Sequence, residues 1–378
     1  MMPPGGGSAR WSNSLLESSR QVCDPPADDV VRRLFADGEI RLVNDLMARL
    51  VRDDQLDPTG LPTVVQEFLA ASSQLPAWAD TALIAEGESL FWDFGEPMIS
   101  ALFCYSLPFC YLGRKGVQVL AMTARLYTNP TRRVVETAQF LVDTLQRGGL
   151  GTSGGGIRAA QKVRLMHAAI RLQILESGQW KADFDMPINQ EDMAGTLMAF
   201  SWVVLDGLEK MGFPLDSSSK NGYLHCWKVI GHILGVREDL MPADIDEAAG
   251  LALAIQRGQA GDCPEGRMMT AALMGMMREH IPLPCFRNFP ETLTRYLLGD
   301  AWADLLGIQC PRWEEAVLSW LPILDKGIDA VVERSKVMAA VNSEFTRHLV
   351  QAVVLIDRGG NRPSFRIPPE LRGRWGIG

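Results

Sequence analysis

Apolar residues recur along this chain three and four positions apart, whereas period-two runs enriched in β-branched residues are nearly absent. The pattern predicts helices over 28–50, 62–72, 80–86, 130–146, 161–176, 190–211, 223–234, 245–256, 267–280, 291–306 and 313–350, joined by short polar turns. Asp28 or Asp29 is the expected N-cap of the first. Pro130 opens the fourth, whose apolar positions are Val134, Ala138, Leu141 and Leu145. The fold class that follows is all-α, with no fixed-period internal repeat. One large helical domain is expected over 28–355, after a disordered leader over 1–27 and before a polar tail over 356–378.

Composition narrows the partners more than the fold. Of 378 residues, 47% are hydrophobic and 22% charged, which is ordinary for a soluble protein able to bury a full core. A net charge of −8 with no stripe of Lys and Arg argues against nucleic acid, since phosphate binding needs clustered cations. The most apolar run, Met98 to Leu112, contains Pro108 and is shorter than the ~20 residues a spanning helix needs, so a buried helix or one wall of an apolar pocket is expected. The seven cysteines fall at irregular spacings without a Cys-x-x-Cys pair, which points to reduced thiols. The start lacks a basic region followed by an apolar run, so the expected location is the cytoplasm.

Two formal motifs read as decoys. Gly148 to Gly156 contains a Gly-x-Gly-x-x-Gly match, but a predicted helix precedes it where a dinucleotide site needs a strand. A flexible hinge between two facing helices is the better reading. His225 and His232 stand seven apart on one predicted helix, about 10.5 Å along its axis, too far to share one metal ion.

The segment Val163-Arg164-Leu165-Met166-His167-Ala168-Ala169-Ile170-Arg171 carries more chemistry. It sets one histidine on an apolar helical face between two arginines. A neutral imidazole there is a candidate axial ligand to an iron porphyrin, with Arg164 and Arg171 a turn away as candidate partners of its propionates. A hydrogen-bonded core histidine and arginines in surface ion pairs, for instance Arg171 with Glu176 or Asp192, are the plainer alternatives. On the preceding helix Arg133, Glu136 and Thr137 stand at i, i+3 and i+4 and share a face. They form either a solvated charged patch or one side of a pocket.

Several segments occur together in the order found in a known family: Leu61-Pro62, Pro76-Ala77-Trp78-Ala79-Asp80, Thr123-Ala124-Arg125-Leu126, Arg133-Val134-Val135-Glu136-Thr137 and the His167 segment, then Pro187-Ile188-Asn189-Gln190-Glu191-Asp192, Trp227-Lys228-Val229-Ile230-Gly231 and Tyr296-Leu297-Leu298-Gly299-Asp300-Ala301-Trp302-Ala303-Asp304. On these the chain resembles the latex-clearing rubber oxygenases and the wider oxygenase family that includes the ER-bound MpaB enzyme. The resemblance implies a globin-like helical core with extra helices, one non-covalent heme b, O2 as co-substrate, and oxidation or cleavage of a carbon–carbon double bond in an apolar, isoprenoid-like molecule. It implies His167 as the proximal iron ligand, Arg133 and Thr137 as distal residues, and Arg171 as part of a His-Ala-x-x-Arg element. Glu136 departs from the family, whose rubber-cleaving members carry lysine there and an acid upstream; here no Asp or Glu lies between Tyr111 and Arg133. Glu136 is then a candidate base for an allylic proton, or a structural partner of Arg132 or Arg133. Epoxidation or hydroxylation of a natural product, and a non-catalytic heme-binding role, stand as alternatives.

Overall fold

The computed structural model describes residues 10–36, 60–123, 130–151, 154–279 and 287–309, and within them the side chains of 96, 130–136 and 138 are not described. Helices build it from the first of these residues. Helix α1 (Asn13–Ser19) starts at Ser12, whose hydroxyl accepts from Leu15 N, and α2 (Pro25–Ala36) follows. Then come α3 (Thr63–Ala71) and α4 (Thr81–Asp93), the latter capped by Asp80, which accepts from Ala82 N and Leu83 N.

The apolar run resolves into α5 (Gly95–Ala101), a π-turn over Leu102–Ser106, and α6 (Leu107–Tyr111). Phe103 and Tyr105 in the π-turn are buried, as a core role for this stretch predicts. Helices α7 (Val117–Met122), α8 (Pro130–Leu145) and α9 (Gly155–Glu176) lead to α10 (Gln190–Phe200) and α11 (Trp202–Lys210). The chain continues through α12 (Ser217–Leu234), α13 (Ile245–Gln259), α14 (Pro264–Glu279), α15 (Phe289–Leu298) and α16 (Asp300–Leu305). The protein is all-α and a single domain; among the described residues the sole β feature is an isolated bridge between Gly113 and Ala260. No described helix is long and apolar enough to cross a membrane.

Four expectations need correction. Helix α2 starts at Pro25, so Asp28 lies inside its first turn and neither it nor Asp29 is the N-cap. The predicted helix over 190–211 is broken at Ser201, whose hydroxyl donates to the Leu197 carbonyl at 2.7 Å while ψ swings to −84°. The one over 291–306 is broken at Gly299, where φ is +84°, a conformation glycine adopts without a Cβ clash. The expected leader is ordered from residue 10 onward, because Arg20, Asp24 and Ala27 are buried against the rest of the molecule. The expected segments 37–50 and 313–350 and the tail lie outside the described residues.

The main apolar core runs from the π-turn through α10, α11, α12, α14 and α15, with Phe103, Met198, Trp227 and Phe289 among its buried side chains. A second, smaller core joins α2, α3 and α9 through Ala27, Val31, Leu34, Val65, Phe68, Leu165 and Ala168. Helices α4 and α12 pack along each other, and a Cβ at Gly222 would stand 2.9 Å from Gly87 N, so the two backbones meet only because both positions are glycine.

Candidate functional site

The glycine-rich segment closes a helical hairpin. It lies between α8 and α9, so no strand precedes it, and its backbone folds on itself: Gly149 N donates to the Gln146 carbonyl at 2.7 Å and Gly156 N to the Gly149 carbonyl at 2.9 Å. Gly148, with φ of +74°, donates its N–H to the buried Glu88 carboxylate on α4 at 2.8 Å. A Cβ at Gly156 would stand 2.8 Å from the Asp143 carbonyl oxygen and 2.9 Å from Thr144 Cα. The glycines therefore serve close backbone approach, and the hinge is a packed turn. Gly156→Val is expected to lower stability by about 1–3 kcal/mol, the usual cost of overpacking, read as a fall in denaturant midpoint at constant slope.

A short connection between packed helices makes them antiparallel, which fixes what faces what along α8 and α9. His167 stands twelve residues after Gly155, and Arg133 twelve before Leu145. At about 1.5 Å per residue each is ~18 Å from the turn. Arg133 is thus level with His167, and Glu136 and Thr137 lie one turn nearer the hinge on the same face of α8. Thr137 is half-buried; the side chains of Arg133 and Glu136 lie outside the described part of the structure.

Around α9, successive residues turn by about 100°. Leu165, Ala168 and Ala169 face α2 and α3 in the smaller core. On the other side of the helix, next to His167, lies a stripe of Val163, Met166, Ile170 and Ile174. Met166 and Ile174 are buried and Val163 and Ile170 half-buried, yet among the described residues none of the four joins either packed core. The His167 ring is half-buried with its Nδ1 shielded from solvent. One screened imidazole beside an apolar stripe, level with a second helix, is a candidate ligand for a cofactor's metal.

The two arginines are placed differently from the propionate role expected of them. Arg164 gives Nε and Nη2 to the two carboxylate oxygens of Asp24 at 2.7 and 2.8 Å, and Nη1 to the Ile233 carbonyl at 3.2 Å. Arg171 is buried and gives Nε to the Pro187 carbonyl at 3.0 Å, Nη2 to the Ile188 carbonyl at 2.8 Å, and Nη1 to Asp28. Every guanidinium nitrogen is thus engaged by protein, and Arg171 meets neither Glu176 nor Asp192. Sequence reasoning misses Asp24 because residues up to 27 read as a leader, and Asp28 because it reads as an N-cap candidate of the first helix.

The acidic element Asn189-Gln190-Glu191-Asp192 opens α10, and Asn189 accepts from Asp192 N at 2.9 Å as an N-cap. Its carboxylates converge on Arg20, which donates to Glu191 and, at 3.0 Å, to Asp192, and whose Nε meets Asp185 at 2.6 Å. Burial pushes the Glu191 and Asp192 carboxyls above their usual range despite the Arg20 charge. Burial acts the same way on Asp185, but Lys115 and Arg20 outweigh it and hold that carboxyl low.

His225 and His232 bracket the Trp78 ring, with centroids 5.8 and 6.1 Å from it, so each packs against the indole. Among the described residues no group of three His, Cys, Asp or Glu side chains is placed to hold a metal ion. His225 Nε2 accepts the Asp80 N–H at 2.9 Å and ties the Pro76–Asp80 turn to α12. Burial, with Lys228 adding to it against Asp80, lowers the His225 pKa, so neutral His225 stabilises the fold above the unfolded value near 6.5 and that contribution is lost as pH falls through the folded value. The melting temperature is expected to drop on acidification through this window, less steeply in His225→Gln, whose amide oxygen accepts the same bond without titrating.

Residues 97–324 match the family described as "ER-bound oxygenase mpaB/B'/Rubber oxygenase, catalytic domain", a span that includes both helices of the hairpin. Over 317 residues the chain is 26% identical to a rubber oxygenase of Streptomyces sp. (strain K30), covering 80% of this chain and 75% of that protein. Its fold is similar to the solved structure of latex clearing protein LCP in the closed state, with a TM-score of 0.73, 24% identity, and coverage of 93% of this chain and 95% of that one.

Proposed function

The chain belongs to the MpaB and rubber oxygenase catalytic-domain family, and from that premise we propose that it is a heme b-dependent oxygenase which uses O2 to oxidise, and by preference cleave, a carbon–carbon double bond in an apolar alkene-bearing small molecule, leaving carbonyl ends. The observation that supports this reading is the matched register of the α8–α9 hairpin, which sets His167 and its apolar stripe level with Arg133. Bound at His167, heme b would supply the iron centre at which O2 is activated.

The chain's own residues have distinct tasks in this proposal. His167 would hold the heme iron through its imidazole, and the stripe of Val163, Met166, Ile170 and Ile174 would shield that side from water. Arg133 would be the cationic hydrogen-bond donor on that side of the site, and the Thr137 hydroxyl would fix orientation there. Glu136 accepts an allylic proton from the substrate. Arg164 and Arg171 are not counted among the cofactor's partners, because Asp24, Asp28 and backbone carbonyls engage them.

One departure favours a second reading. Glu136 stands where rubber-cleaving relatives carry lysine, and no Asp or Glu lies between Tyr111 and Arg133. Insertion of oxygen without scission, as epoxidation or hydroxylation of a natural product, fits that change. An oxygen electrode and hydrazine trapping of carbonyls, with the heme-loaded protein and a panel of apolar terpenoid alkenes, separates the readings. Alkene-dependent O2 uptake with trapped carbonyls is the expected result. Uptake with an oxygenated, unbroken carbon chain selects the second reading, and heme binding without alkene-dependent uptake contradicts both.

A further inference from the structure

We infer that Asp24, immediately before α2, and Asp28, in its first turn, are positioning residues for His167, acting through Arg164 and Arg171 as a two-point clasp on α9. The inference rests on the reading of His167 as the axial ligand. Arg164 and Arg171 stand three residues before and four after His167, so the two ion pairs straddle it along the helix. Neither is a surface pair: the side chains of Asp24 and Arg171 are 4% and 3% exposed. Buried charges of this kind hold fixed geometry, because separating them leaves an uncompensated charge out of water.

A second observation shows that the clasp bears on backbone conformation. Ile188 has φ of +52°, in the left-handed region that a β-branched residue avoids. Arg171 donates to the carbonyls of both Pro187 and Ile188, and so holds this strained turn against α9 while holding Asp28 on α2. The segment before α2 is tied from the other side as well. Gln190 N donates to the Val22 carbonyl at 2.9 Å, and its side-chain Nε2 donates to the Cys23 carbonyl at 2.8 Å and the Gly235 carbonyl at 2.9 Å. Residues 22–28, α9, the start of α10 and the end of α12 are therefore one hydrogen-bonded unit around the His167 helix.

The lever is geometric. Side-chain atoms lie about 5–6 Å from a helix axis, so a roll of α9 by about 10° carries a ring nitrogen ~1 Å, enough to spoil a preorganised bond. Two clamps on one side of the helix, either side of the ligand in sequence, oppose such a roll.

The test compares wild type with Asp28→Asn, which removes the charge and keeps the shape, and Arg171→Lys, which keeps a charge and gives up the forked donation to Pro187 and Ile188. Either variant suffices if the other fails to fold. One readout needs no heme: alkylation of Cys23, followed by peptide mass spectrometry. Cys23 is half-buried beside Asp24, and burial pushes its thiol up to about 11, so the closed clasp slows the reaction at neutral pH. The other is the Soret position and spin-state bands of the ferric heme protein. The inference predicts several-fold faster Cys23 alkylation together with a shifted spectrum, and restoration of both in Asp28→Glu. Faster alkylation with a wild-type spectrum, or neither change, overturns the inference alone. A wild-type protein that takes up no heme overturns the ligand reading and this inference with it.

Discussion

Arg20→Ala is expected to cost about 3–5 kcal/mol of folding stability at neutral pH, the usual result of removing one partner from a buried ion cluster. Arg20 is 2% exposed and meets Glu191, Asp192 and Asp185 together. In its absence Lys115, which reaches Asp185 at 2.7 Å, is the cation in ionic contact with those carboxylates among the described residues. The penalty is carried by the charged forms. Asp185, held low in the wild type, contributes stability above its unfolded pKa that is lost as pH falls through the folded one. Without Arg20 that contribution shrinks, and the already raised Glu191 and Asp192 rise further, so the variant's deficit is largest at neutral pH and narrows once the carboxyls protonate. Urea unfolding at pH 7 and pH 4 measures this. A deficit below about 1 kcal/mol at pH 7 would show the cluster to be worth no more than a surface network.

The second large effect is on turnover. Arg133→Ala is expected to retain heme, with its Soret band in place, and to lower kcat by about 10²–10³-fold, the range for loss of one preorganised donor to developing negative charge. Glu136→Gln should lower kcat with a changed pH profile if the carboxylate takes the substrate proton. Steady-state O2 uptake with the best alkene of the panel reads both. Unchanged kcat in Arg133→Ala would remove α8 from the reacting side of the cofactor, whatever the register of the hairpin.

Helix type was legible wherever the apolar period was unbroken, as in α8, α12 and α13. The break at Ser201 was not, because Leu197, Met198 and Phe200 run on into Trp202 and Val203 without a change of period, and the serine acts through a hydroxyl bond to its own helix. Gly299 carried the signal of a helix end, a glycine after two leucines, but the apolar pattern on both sides masked it. At the site, the face shared by His167, Arg164 and Arg171 followed from spacing alone. What the arginines touch did not. Asp24 and Asp28 lie 140 and 143 residues away in sequence, and partner choice at that distance is set by how α2 docks on α9, which no local pattern encodes. The Ile188 strain is equally invisible, since isoleucine is a residue for which positive φ is not expected.

His167 as the ligand is the premise on which the proposed chemistry depends. The measurement that tests it most directly is the ultraviolet–visible spectrum of the purified, heme-supplemented protein beside His167→Ala, as isolated, reduced, and reduced with CO. One heme per chain with a Soret band that is lost or shifted in the variant is the predicted result. A wild-type protein without heme, or a variant whose three spectra match the wild type, would contradict it and make His167 a packing residue of α9.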